Sequence, residues 1–213
     1  MKKLNQRNFC MALGLLAAFI LWTAAIRQID VQAIGPREST VGFATLNRFI
    51  HNLTGVHTPL YTVTDWLGLV PLGFALGFAV LGLVQWIKRK NLLKVDHSIL
   101  ILGGFYIVVA AAYMFFEVYV VNYRPVLIEG FLEASYPSST TMLVLTVMPT
   151  AVMQLNTRIK NPALRRGVVL AIIVFIAFMV IGRLVSGVHW FTDVVGGAFL
   201  SAGLVMMYCF LIE

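Results

Sequence analysis

Three short stretches hold the residues whose types and spacing suit chemistry. In Gly182-Arg183-Leu-Val-Ser186-Gly187-Val-His189-Trp-Phe-Thr192-Asp193, an arginine, a histidine and an aspartate follow one another at intervals of six and four. Residues four apart share a helical turn, so Asp193 is placed to accept the Nδ1 proton of His189, which leaves Nε2 free to attack phosphorus. Arg183 brings a planar fork that matches the nonbridging oxygens of a phosphate, and Arg124, in Glu117-Val-Tyr-Val-Val-Asn-Tyr-Arg124-Pro125, brings a second. The third stretch, Tyr136-Pro137-Ser138-Ser139-Thr140-Thr141, opens an apolar segment with hydroxyls and free backbone N–H groups, a setting that favours an anion. The same hydroxyls suit a helix cap. Glu117 has two functional readings, a replacement acid or base and a site for a cationic head group. A third makes it a buried carboxylate neutralised by an arginine.

The elements that must position these residues lie in a bilayer. Of 213 residues, 60% are hydrophobic and 12% charged, against roughly 25% charged in a soluble domain. One soluble core would leave large apolar patches exposed, whereas lipid accepts apolar surface on every outward face. With only Cys10 and Cys209, a disulfide framework, a CxxC redox motif and a cysteine zinc site are excluded as organising features. Six stretches approach the ~20 apolar residues a spanning helix needs: Phe9–Ile26, Trp66–Ile87, Ile99–Val121, Thr140–Leu155, Gly167–Gly187 and Trp190–Ile212. The fold class is therefore all-α, a polytopic membrane protein of six transmembrane helices. It forms a single membrane domain over residues 1–213, with an outer interfacial segment at 27–65 and a catalytic core bundle at 66–213.

The net charge of +7 raises the question of nucleic acid, but the charges follow a topology instead, and no nucleic-acid partner is expected. Eleven of the sixteen basic residues, among them Lys2, Lys3, Arg7, Lys88, Arg158 and Arg165, fall in segments that share one side if the N-terminus is inside. Both termini are then cytoplasmic, and all three polar stretches meet at the outer leaflet of the plasma (cytoplasmic) membrane. A cleavable signal peptide is the competing reading of residues 1–26. In the outer segment Val41, Leu46, Phe49, Ile50 and Leu53 fall close to a helical stripe, which suits an outer-leaflet interfacial helix.

The pattern R-x5-H-x3-D, preceded in order by an Arg-Pro and a Pro-Ser on the right helices, resembles the type 2 phosphatidic acid phosphatase superfamily of integral-membrane lipid phosphatases. The likeness covers most of the chain from about Trp66 onward. It implies six spans and a metal-independent, cofactor-free reaction through a phosphohistidine. By the same likeness His189 is the nucleophile, Asp193 its orienter, Arg124 and Arg183 the phosphate clamps, and Ser138 and Ser139 the phosphate-binding stretch. The chain departs from the family where Glu117 replaces a lysine, Thr140 replaces the histidine that protonates the leaving group, and Gly182 replaces a serine. A lost cation and a gained anion weaken the hold on a doubly charged monoester. The substrate implied is a phospholipid or polyprenyl phosphate: a lipid phosphate, a diphosphate whose leaving group needs little protonation, or a phosphodiester with a cationic head group for which Glu117 has a catalytic task. The alternative is a catalytically weak or inactive relative that binds or moves phospholipid.

Overall fold

A computed structural model describes residues 2–213, with side chains from Asn5 onward. The side chains of Lys2 and Lys3, counted above with the inner charges, lie outside that range. Apolar runs too long for strands fold as helices, because a helix satisfies every backbone polar group within itself. They are α1 (Lys2–Ile26), α2 (Ala44–Thr54), α3 (Thr58–Leu67), α4 (Leu69–Arg89), α5 (His97–Val118), α6 (Ser139–Arg158), α7 (Pro162–Val185) and α8 (Phe191–Ile212). The sheet is a single antiparallel pair, β1 (Gln32–Ala33) with β2 (Thr40–Val41). The all-α class expected from the sequence is the one observed.

Among the described residues, five helical stretches are long and apolar enough to cross a membrane, with α3 and α4 counted as one. The sixth expected span, α6, is the exception, and the reason lies in its composition. Thr140, Thr141, Thr146, Thr150 and Gln154 make it too polar to face lipid, and all five are buried. It stands in the middle of the bundle, packed on α4, α5, α7 and α8. Its hydroxyls bond back onto the helix, Thr146 Oγ1 to the Met142 carbonyl at 2.8 Å and Thr150 Oγ1 to the Thr146 carbonyl at 2.9 Å. No polar atom of these two side chains is left bare in the bundle.

The other spans begin and end within a few residues of expectation, with one correction of substance. Trp66 does not open the long helix α4; it lies near the end of α3, the ten-residue helix that precedes α4 in the same apolar stretch, and is exposed. The proposed stripe in the outer segment is also divided. Val41 is buried in β2, whereas Leu46, Phe49 and Leu53 are exposed on α2, whose inward face is Ala44 and Asn47. Asn47 ties α2 to the start of α8: its Nδ2 donates to Thr192 Oγ1 at 3.0 Å, and its Oδ1 accepts from the Thr192 N–H at 3.2 Å. The first helix runs along α8, with Trp22 Nε1 donating to the Thr192 carbonyl at 3.1 Å. At the far end Asp96 pairs with Arg89 at 3.0 Å and with Arg158 at 3.6 Å, joining the starts and ends of α4, α5 and α6.

Candidate active site

The end of α5, the start of α6, the end of α7 and the start of α8 meet at one end of the bundle. The chain between α5 and α6 supplies a hairpin-like loop in which Tyr123 pairs with Ala134 and Ile128 with Phe131. That pairing sets Asn122 beside Ser135 and Arg124 beside Glu133, with backbone bonds of 2.9 and 3.1 Å. Opposite the loop, α7 stops at Val185, and Gly187, at φ +69°, turns the chain toward α8. A Cβ at Gly187 would lie 1.9 Å from the Gly55 carbonyl oxygen, so only glycine lets the connection between α2 and α3 close over this turn. His189 and Trp190 follow, both buried.

His189 Nε2 faces both expected clamps, with Arg183 Nη2 at 3.3 Å and Arg124 Nη1 at 3.5 Å. Guanidinium groups only donate, so Nε2 is the accepting nitrogen and the proton sits on Nδ1. Nδ1 lies 3.1 Å from Ser135 Oγ, and Ser135 Oγ lies 2.5 Å from Asp193 Oδ2. The hydroxyl donates to the carboxylate and accepts from the ring. The spacing argument is thus corrected in one respect: Asp193 reaches His189 through Ser135, because its carboxylate is turned back to cap α8. Its Oδ2 accepts from the Trp190 N–H at 2.9 Å and its Oδ1 from Asn122 Nδ2 at 3.1 Å. Burial, reinforced by the charges of Arg124 and then Arg183, holds the His189 pKa well below the ordinary histidine range, against a weaker opposing pull from the Ser135 main chain. The ring is neutral at pH 7.

Each arginine has an environment of its own. Arg183 is 1% exposed, with Nη1 at 3.5 Å from Asp65 Oδ1 and 3.4 Å from Thr64 Oγ1. Its Nε is buried and without a partner. Arg124 Nε lies 3.1 Å from Glu133 Oε2, out of line for a hydrogen bond. The Tyr61 ring lies under both forks, its centroid 4.9 Å from Arg183 Cζ and 5.9 Å from Arg124 Cζ. None of Tyr61, Thr64, Asp65, Asn122, Glu133 or Ser135 stood out in the sequence. The one available signal was at α3, where Tyr61, Thr64 and Asp65 share a helical face at intervals of three and four.

The remaining expected residues divide between two neighbouring cavities. Glu117 and Ser139 line a small one, of about 10 Å³, together with His189, Ser135 and Tyr136. Glu117 is exposed, and no arginine pairs with it among the described residues, so the neutralised-carboxylate reading is set aside. Thr140 lines a larger cavity, about 450 Å³, between α4, α5 and α6, whose polar end holds Asp65 and Ser139. Ser138 lines neither. It is wholly buried as the cap of α6, accepting from the Thr141 N–H at 3.5 Å, and its own N–H donates to the Asp193 carbonyl at 3.1 Å. Among the described residues no three His, Cys, Asp or Glu side chains converge as metal ligands do.

The site is thus a buried histidine between two arginines at one end of a helical bundle, and the comparisons name the family. The PAP2 superfamily profile matches residues 97–212, and the chain belongs to that family. No curated protein matches the sequence. The fold is shared with a crystal structure described as the first transmembrane PAP2-type phosphatidylglycerolphosphate phosphatase from Bacillus subtilis, with 20% identity, 93% of this chain and 94% of that chain covered, and a TM-score of 0.54.

Proposed function

We propose that this protein is a lipid phosphatase or phosphotransferase working through a phosphohistidine on His189, on a lipid phosphate, diphosphate or phosphodiester at the outer leaflet of the plasma membrane. The observation that carries the reading is the His189 ring, with Nδ1 occupied by Ser135 and Nε2 open between two guanidinium groups within 3.5 Å. In the first step the Nε2 lone pair forms the N–P bond and the P–O bond to the leaving group breaks, its electrons passing to that oxygen. Arg124 and Arg183 hold the nonbridging oxygens as charge builds on them. Phosphorylation makes the ring cationic; its Nδ1–H stays hydrogen-bonded to Ser135, and the Asp193 carboxylate behind Ser135, held by Asn122 and Trp190, stabilises that charge.

Thr140, in the family's acid position, has no proton to give at neutral pH and lies on the other cavity. Glu117 is the carboxylate on the cavity of His189 and is the group for the second step. It takes the proton of the water or acceptor hydroxyl that attacks the phosphohistidine, whose N–P bond breaks to free His189. The second reading, a relative that binds or moves phospholipid with little or no turnover, draws on the two altered positions, Glu117 and Thr140. Purified protein assayed on lipid monoesters, diphosphates and diesters separates the two. His189→Ala should abolish turnover and phosphoryl labelling of the protein, and chelators should change neither. Full activity in His189→Ala overturns the phosphohistidine, and no turnover on any lipid favours the binding reading.

A further inference from the structure

Each clamp arginine comes with a carboxylate of its own. Asp65 stands 3.5 Å from Arg183 Nη1 and Glu133 stands 3.1 Å from Arg124 Nε. The wall that brings Asp65 there is built in, since a Cβ on Gly182 would come within 2.8 Å of Thr64 Cγ2. The glycine that departs from the family pattern is what lets α3 lie against Arg183. A phosphate dianion settling on these forks meets two carboxylates that already neutralise them, with Glu117 as a third anion on the same cavity. A substrate with one phosphate charge and its own cation beside it removes that conflict. The phosphate takes the guanidinium edges and the cation takes the carboxylate.

Both charges find a group. The Arg183 and Arg124 forks flank His189 Nε2 at 3.3 and 3.5 Å, and the buried Arg183 Nε has no hydrogen-bond partner among the described residues. Asp65 is 58% exposed at the polar end of the 450 Å³ cavity, whose walls are otherwise mostly apolar. That cavity shares Tyr113, Ser139 and Met142 with the one around His189, so the two adjoin. Resting on the phosphoryl-transfer reading, we infer that the substrate is a zwitterionic phospholipid, a phosphodiester with an ammonium group close to its phosphate, and that Asp65 is the specificity residue that receives the ammonium.

The test offers phosphatidylethanolamine, phosphatidylglycerol and phosphatidic acid at equal surface fraction to the full-length protein in lipid nanodiscs. Phosphatidylethanolamine should show the highest His189-dependent kcat/KM, at least tenfold above phosphatidic acid. Asp65→Asn should lower that ratio at least tenfold, through a raised KM for phosphatidylethanolamine and a gain on phosphatidic acid. Glu133→Gln should move it the same way by less. A wild type that prefers phosphatidic acid overturns the inference. So does an Asp65→Asn variant in which both lipids fall together, which marks Asp65 as a prop for Arg183. Lipid binding by the His189→Ala protein, read by native mass spectrometry, separates recognition from chemistry. A preference for phosphatidylethanolamine that Asp65→Asn removes there, with no turnover in the wild type, overturns the phosphohistidine and leaves recognition standing. Equal binding of all three lipids overturns recognition.

Discussion

A histidine wedged between two guanidinium groups in a dry pocket resists protonation, and only the neutral ring is a nucleophile. The acid limb of kcat/KM assigned to His189 should therefore fall below the ordinary histidine value of about 6.5. Arg124→Gln should cut activity and also move that limb upward, since it removes one of the charges that oppose ring protonation; a pH–rate profile of both proteins reads the shift. Removing the relay should cost less than removing the nucleophile. Ser135→Ala leaves Asp193 and the ring unbridged, and a buried hydrogen bond of this kind is worth about 1–3 kcal/mol, or about 5- to 150-fold in kcat. His189, Asp193, Arg124 and Arg183 were legible in the sequence because intervals along a helix and around a helix end survive folding. Ser135 and Asn122 were not, because their place depends on a loop pairing that no local periodicity announces.

The elements divide by how they meet lipid. Five apolar helices are legible from hydropathy, and α6 was found as a short, weak span because its hydroxyls are satisfied inside the bundle. The outer segment reads as an interfacial helix, and α2 is a helix with an exposed apolar face. The contact of α3 with Arg183 was invisible, since it joins residues 119 positions apart. That contact gives a prediction at the scale of the element. Gly182→Ser should push Thr64, and α3 with it, away from Arg183, lowering both activity and thermal stability. Thr64→Ser removes the offending Cγ2 and keeps the hydroxyl, so the double variant should recover most of the loss, measured as Tm and kcat/KM against each single change.

For the whole molecule, the family match begins at His97, yet the site does not. Thr23 of α1 shares a 2.6 Å hydrogen bond with Tyr136, Asn47 of α2 holds Thr192, and α3 holds Arg183. Parts of α1, α2 and α3, all before residue 97, thus form one wall of the candidate site. All these contacts lie at the end of the bundle opposite Arg158 and Arg165. If the basic residues mark the cytoplasmic side, a cysteine at Glu133 should react with an impermeant thiol reagent in intact cells and one at Arg165 should not. Labelling at Arg165 alone would place the site inside.

Trp190 adjoins the nucleophile in sequence and is 3% exposed, its indole N–H held by the Tyr123 carbonyl at 2.8 Å and its ring tilted against His51. Trp66 and Trp86 are exposed on the outer faces of their helices. Of the four tryptophans, the others being Trp22, Trp66 and Trp86, Trp190 is the one adjoining His189 in sequence, and a charge appearing on that imidazole alters the field at its indole. With the other three replaced by phenylalanine, Trp190 emission should change when His189 is phosphorylated and stay unchanged in His189→Ala, a label-free optical gauge of the site.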